Sequence, residues 1–336
     1  MDFSTVCNLL KSDLAEIDEV ILSFACGKSP LIQEVSNHIV SSGGKRIRPV
    51  VLLLATKLCD NTNSNLITKR SHNLSAAVEL IHTATLLHDD VVDNSLIRRG
   101  KKTANAIWDN KASILVGDYL FSIAFQLMVR DGNLRVLDLL AKVSSIMSDG
   151  EVMQLENSTN LAISVEKYFD IIFGKTASLF AAASEVGGLI NQRSEADLQA
   201  LRGFGKNLGL IFQIVDDLLD YSSQNQILGK EVGKDFFEGK VTLPIIVLYS
   251  LADSTDKIII EQLFANQMIE NDEQKSQRNL QQILSLLNKY DCFLRVKEMA
   301  LDLRKQAQQE LDKIVGNSDS KNHLIAVLNH SLERLN

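Results

Sequence analysis

The sequence predicts an all-α protein folded as a single large helical domain over residues 1–336. Three observations carry that expectation. Breakers are scarce, with 3 Pro and 17 Gly in 336 residues, while Leu, Ala, Ile, Lys, Glu and Gln abound. That mixture favours long helices. Apolar residues recur at helical spacing from end to end. No stretch alternates apolar and polar residues long enough to build a sheet, although two short stretches carry a faint strand signal.

Helices are expected near 4–23, 30–41 and 47–59, with SSGGK (41–45) as the break before the third. The polar run DNTNSN (60–65) precedes a long helix at 68–93, and NSLIRRGKKT (94–103) follows it as a loop. Further helices are read at 105–109, 112–130, 133–157, 165–189 and 194–221. After SSQNQILGKEVGK (222–234) the pattern resumes at 241–251, 255–267, 277–289, 293–315 and, past GNSDSKN (316–322), 321–335. No change of composition marks a domain boundary, and IENDEQKSQRN (269–279) reads as a surface connection. No repeat of about 20–50 residues is present.

Composition narrows the function. Hydrophobic residues make up 45% and charged residues 23%, the balance of an ordinary soluble domain. A net charge of -7 argues against a general nucleic-acid binder. Cys7, Cys26, Cys59 and Cys292 are far apart in sequence, which leaves no CxxC motif. Reduced core thiols in a cytoplasmic protein are the expectation. The acidic N-terminus has no apolar signal-peptide core. The longest apolar run, Tyr119 to Val129, is interrupted by Ser122 and Gln126 and falls short of the roughly 20 residues of a membrane span.

The chemistry lies in two echoing segments. LLHDDVVDNSLIRRG (86–100) holds Asp89, Asp90 and Asp93, and FQIVDDLLDY (212–221) holds Asp216, Asp217 and Asp220. Both read D-D-x-x-D. Residues four apart on a helix share a face, about one 5.4 Å turn along the axis. Each motif therefore makes a small claw of oxygen ligands. Carboxylates so close, among Leu, Val and Ile, repel one another and need compensation. A hard divalent cation supplies it, and Mg²⁺ uses one or two carboxylates together with substrate phosphates.

Basic residues accompany the claws. GGKRIRP (43–49) opens with a glycine turn and places Lys45, Arg46 and Arg48 at a helix start, a setting suited to phosphate. Arg98 and Arg99 follow the first claw, and GKT (174–176) lies between the two. It lacks the upstream glycine of a Walker motif. GKEVGKDFFEGK (229–240), with Lys230, Lys234 and Lys240, follows the second. Carboxylates holding metal, metal bridging to phosphate and Arg or Lys taking the remaining charge describe a diphosphate ligand, one that can also serve as leaving group.

Together GGKRIRP, LLHDDVVDNSLIRRG, GKT, FQIVDDLLDY and GKDFFEGKVTLP resemble the trans-isoprenyl diphosphate synthases. They occur in that family's order over about residues 40–245, and their setting is similar to the long-chain, octaprenyl-like polyprenyl diphosphate synthases that supply quinone side chains. The resemblance implies an isoprenoid synthase-like fold with helices around a central cavity. It implies about three substrate-bridged Mg²⁺ ions and an allylic diphosphate, such as farnesyl diphosphate, that ionises. The resulting cation is attacked by isopentenyl diphosphate, head to tail, with repetition on the lengthened all-trans chain.

Position by position, the resemblance makes Asp89, Asp90, Asp93 and Asp216 metal ligands, with Asp217 and Asp220 acting directly or through water. Arg98, Lys175 and Lys230 would meet the allylic diphosphate. Lys45, Arg48, His82 and Arg99 would bind isopentenyl diphosphate. Thr176 and Gln213 would flank the cation, and Lys240 would support the leaving diphosphate. His88 is left as a structural or supporting residue. No strongly basic C-terminus is apparent, so the sequence gives no sign for or against a contribution of the tail to diphosphate binding. A homodimer is implied, with no nucleic acid and at most peripheral membrane contact for product release.

Helix geometry adds a length argument. Ala84 and Thr85 lie about 6–7 Å before Asp89 along the axis. Both are small, so neither blocks a growing chain, and the resemblance also associates a small residue there with longer products. A C30–C50 product is expected, with C40 as its centre. Phe121, Phe125 and Met128 are candidates for the tunnel floor or for plain core.

Rival readings are weaker. A class I terpene cyclase would replace the second claw with an N/D-x-x-S/T-x-x-x-E motif. A His-Asp phosphohydrolase built on His88 and Asp89 would leave the second claw unexplained. An inactive partner subunit would be expected to lose a claw. A shorter-chain synthase differs only in where the chain stops.

Overall fold

The computed structural model describes residues 2–24, 27–41, 43–62, 64–98, 100–222, 232–267 and 273–334. Cys26, Arg99 and Lys230 lie outside them. Among the described residues the chain is helical throughout, apart from one two-stranded hairpin. Its contacts resolve into two compact units that interleave in sequence. One comprises Met1–Ser144, Leu179–Gly205 and Glu310–Val327; the other comprises Ser145–Ser178, Lys206–Gln309 and Leu328–Asn336.

The first unit opens with α1 (Phe3–Leu9) and α2 (Lys11–Phe24), where one continuous helix was expected. The break is Leu10, whose φ of -96° and ψ of 10° leave the helical region while its side chain stays buried. Helix α3 spans Pro30–Ser41 and α4 spans Ile47–Cys59. In α4, Val50, Val51, Leu52, Leu53, Leu54 and Ala55 are all buried, the mark of a helix apolar on every side. Helix α5 (Asn65–Val92) starts at Ser64, whose side chain accepts from the Leu66 N–H. It packs against α2, α4 and the 22-residue α7 (Asn110–Asp131).

Asp109 caps α7 by accepting the Ala112 N–H, and Gly132 ends it at a φ of 74°. By length and composition α7 could cross a membrane, contrary to the expectation from its interrupted apolar run. Half of its most apolar window is nevertheless buried within this unit. Between α5 and α7 the expected loop contains strands β1 (Ile97–Arg98) and β2 (Lys101–Lys102) and the short α6 (Ala104–Ile107). The strands pair antiparallel, Ile97 with Lys102 and Arg98 with Lys101.

Helix α8 (Leu134–Glu156) belongs to the first unit up to Ser144 and to the second beyond it. The helix expected at 165–189 is α9 (Val165–Ile172), a π-helical turn (Phe173–Ala177) and α10 (Ser178–Ile190). The π turn sits where two helices touch through glycines. A Cβ added to Gly174 would lie 2.9 Å from the Gly150 Cα, and one on Gly150 would lie 2.5 Å from the Lys175 nitrogen. Helix α11 (Glu195–Asp220) is followed in the second unit by a short helix, Lys234–Phe237, and by Leu243–Leu251. The last of these is buried from Leu243 to Leu248. It shares a core with Tyr168, Ile171, Ile214, Leu218 and Phe236.

Candidate active site

Both aspartate motifs occupy the last turn of a long helix. Asp89 and Asp90 close α5, and Asp93 is its C-cap, with its N–H donating 2.8 Å to the Asp89 carbonyl. Asp216, Asp217 and Asp220 close α11. Exposed carbonyls already make a helix C-terminus negative, so three carboxylates there are placed against the dipole. The arrangement favours a cation.

In the first unit, Asp90 is buried and Arg98 Nε donates to its Oδ1 at 2.9 Å. The turn back depends on Asn94, at φ 48°, and Gly100, at φ 74°. Asn105 Nδ2 donates to the carbonyls of Asp90 and Ser95, each at 3.1 Å, and so fastens the hairpin to the end of α5. Asn105 was missed in the sequence. His88 spans to α7, 3.2 Å from the Ile114 carbonyl and 3.3 Å from Asp118 Oδ1.

The GGKRIRP turn separates its cations. Arg46 takes a left-handed φ of 46°, uncommon for any residue other than glycine. Its guanidinium donates to Glu79 Oε1 at 2.7 Å and Asp18 Oδ1 at 2.9 Å, which holds the strained turn in place. Arg48 is buried beneath the turn, 4.5 Å from the Phe180 ring centre, and Lys45 is exposed. His82 is half-buried on α5, and its carbonyl accepts the Thr85 hydroxyl at 2.8 Å. Ala84 is fully buried on the same helix.

In the second unit, Arg334 Nη2 lies 2.6 Å from Asp216 Oδ1, with its guanidinium 5.7 Å from the Phe212 ring centre. The tail therefore brings a cation to this motif, a contact of which the absence of a basic C-terminus gave no sign. Asp217 is buried and engaged at both oxygens: Tyr168 Oη donates to Oδ2 at 2.6 Å and Gln213 Nε2 to Oδ1 at 2.8 Å. Thr176 Oγ1 donates to Gln213 Oε1 at 2.7 Å. Asp220 Oδ2 accepts the Asp235 N–H at 2.9 Å. Lys175 Nζ reaches Glu151 Oε2 at 2.8 Å and Gln154 Oε1 at 2.7 Å, and Lys240 Nζ reaches Glu238 Oε2 at 2.8 Å.

Burial pushes the Asp217 carboxyl up to about 7, with the neighbouring Asp216 and Asp220 charges adding to it against the pull of its two donors. Asp220 rises to about 6, again chiefly through burial. Asp235 is raised too, by burial and then by Asp220 and Asp217. Such a cluster has an unmet demand for positive charge. Among the described residues, no group of three or more His, Cys, Asp or Glu could hold a metal ion alone. The donor set nonetheless fits a hard cation that takes part of its coordination from a phosphate.

The candidate residues thus gather in two sets, one in each unit. Lys45, Arg48, His82, Asp89, Asp90, Asp93 and Arg98 belong to the first. Lys175, Thr176, Gln213, Asp216, Asp217, Asp220 and Lys240 belong to the second. An all-helical chain carrying two D-D-x-x-D helix ends, each with an arginine partner, defines a class of proteins built to handle a diphosphate through metal. The polyprenyl synthetase family model matches residues 29–285, and the chain belongs to that family of prenyltransferases. Octaprenyl diphosphate synthase of Escherichia coli is 42% identical over 246 residues, 73% of this chain and 75% of that protein. A decaprenyl diphosphate synthase structure from Rhodobacter capsulatus has a TM-score of 0.91 at 38% identity, covering 99% of each chain. A Caulobacter crescentus polyprenyl synthase, complexed with calcium and isoprenyl diphosphate, has a TM-score of 0.89 at 35% identity, covering 98% of this chain and 97% of that one.

Proposed function

We propose that this protein is a magnesium-dependent synthase that extends an allylic diphosphate, such as farnesyl diphosphate, with successive isopentenyl units to an all-trans chain of C40. The observation that carries the reading is the pair of aspartate helix ends, one bound to Arg98 and the other to Arg334. The relatives' names support the long product, octaprenyl in one and decaprenyl in another. The buried, small Ala84 on α5 agrees with it.

In this reading Asp89, Asp90, Asp93 and Asp216 face metal, three ions in all, with Asp217 and Asp220 supporting them. Bound magnesium would neutralise charge developing on the leaving diphosphate. Arg98, Lys175 and Lys230 bind the allylic diphosphate. Lys45, Arg48, His82 and Arg99 bind that of isopentenyl diphosphate, and Lys240 supports the diphosphate as it leaves. Thr176 and Gln213 line the developing cation. The C1–O electron pair departs with the diphosphate, C1 is attacked by the isopentenyl double bond, and the new cation loses a proton to the released diphosphate, which restores an allylic double bond.

Incubation with labelled isopentenyl diphosphate and farnesyl diphosphate tests the class. Incorporation that requires both substrates and stops on chelation is expected. Conversion of farnesyl diphosphate alone would instead indicate a cyclase.

A further inference from the structure

The sequence motifs leave Tyr168 unassigned, yet it ends a chain of hydrogen bonds that runs to the reacting region. Its hydroxyl donates 2.6 Å to Asp217 Oδ2, inside the buried core of the second unit. Gln213 Nε2 donates 2.8 Å to the other oxygen, and Thr176 donates 2.7 Å to Gln213 Oε1. Only one end of this chain can be a carboxylate, and that end sets its direction. Tyr168 donates to one Asp217 oxygen and Gln213 Nε2 to the other, so both oxygens accept. Gln213 must therefore turn its amide nitrogen to Asp217, which leaves its carbonyl to accept from Thr176. The Thr176 proton is thereby committed inward, and the lone pairs of Oγ1 are left for whatever lies before them.

We infer that Tyr168 is a positioning residue for prenyl transfer: by holding Asp217 Oδ2 it fixes the orientation of Gln213 and hence the polarity of Thr176. This rests on the synthase reading above. A hydroxyl presenting lone pairs suits an allylic cation, and a fixed dipole avoids reorganisation when charge develops. With the phenol removed, the Asp217 carboxylate can rotate, and both Gln213 and Thr176 lose their single orientation. The chain also gives Asp217 two neutral donors of its own, so its work is alignment rather than direct capture of metal.

The test is Tyr168→Phe in the full chain, which keeps the ring and removes only the donor. Expected are a kcat about 10-fold lower, KM values for both substrates within about 2-fold and an unchanged affinity for Mg²⁺ with inorganic diphosphate by calorimetry. Gln213→Leu cuts the same chain, so Tyr168→Phe/Gln213→Leu is expected to be no slower than Gln213→Leu alone. A kcat within 2-fold of the parent, or effects that multiply in the double variant, would overturn the inference. Weakened metal–diphosphate binding in Tyr168→Phe would overturn it too, by making Asp217 a metal ligand that Tyr168 supports. Failure of the synthase reading is separate: the parent protein would then incorporate no isopentenyl diphosphate.

Discussion

Arg334 Nη2 and Asp216 Oδ1 are 2.6 Å apart, an ion pair joining the residue after the final described helix to the last turn of α11. Side-chain exposures of 23% and 40% limit its worth to about 0–1 kcal/mol of stability. Its consequence is for binding, since a guanidinium and a metal ion compete for the same oxygen. Arg334→Gln is expected to lower the half-saturating Mg²⁺ concentration about 2- to 5-fold in thermal shifts of the substrate-free protein. An unchanged midpoint would show that the pair opens without cost.

The raised carboxyls predict a pH dependence. Asp217, up to about 7, and Asp220, up to about 6, titrate above the ordinary carboxyl value of 3.8. In the metal-free fold the stability tied to these protons is complete below the unfolded value. It is lost as pH rises through about 6 to 7. A cation relieves that loss, so Mg²⁺ with inorganic diphosphate should raise Tm more at pH 8 than at pH 5.5. Asp217→Asn should flatten the difference, and equal shifts at both pH values would count against these assignments.

Arg98→Ala removes the partner of the buried Asp90. A charge-assisted bond lost at a binding site predicts a fall in kcat/KM of about 10²-fold for the allylic substrate. Arg98→Lys, with a compact ammonium in place of the planar guanidinium, should recover only part of it. Steady-state kinetics with the allylic diphosphate varied would decide.

Gly150 carries the close approach of α8 to the π turn. A Cβ there would lie 2.5 Å from the Lys175 nitrogen and 2.8 Å from the Gly174 carbonyl carbon, so backbone must yield. Gly150→Ala should cost about 1–3 kcal/mol in denaturant unfolding and reduce kcat as well, because Lys175 and Thr176 move with the turn. Normal activity with lowered stability would show that the turn tolerates displacement.

Ala84→Phe should shorten the product to C15–C20. Ala84 is fully buried on α5, and in the proposed synthase an aromatic ring there would take up space that a long chain needs. Chromatographic sizing of the dephosphorylated products checks this, and unchanged length would remove Ala84 from any role in length control.

Much of this was legible in the sequence because its signals are local. Most of the long helices from α3 onward, the two aspartate claws and the basic residues that follow them all arise within a few residues of one another. What stayed hidden depends on chain segments far apart. Arg334 meets Asp216 more than a hundred residues away, and a lone arginine in a polar tail carries no signal of its own. Tyr168 reads as an ordinary apolar position of α9, and only the fold turns its hydroxyl to Asp217. The π turn follows from contact between Gly150 and Gly174, which helical periodicity cannot register. Asn105 could have been suspected as a polar residue just after a turn, the usual place for a side chain that satisfies helix-end carbonyls.

The most direct measurement is the length of the product made from farnesyl diphosphate, excess isopentenyl diphosphate and Mg²⁺, read by mass after removal of the diphosphate. A ladder ending at C40 is predicted. A product that stops at C20 would contradict the long-chain assignment while leaving the enzyme class in place.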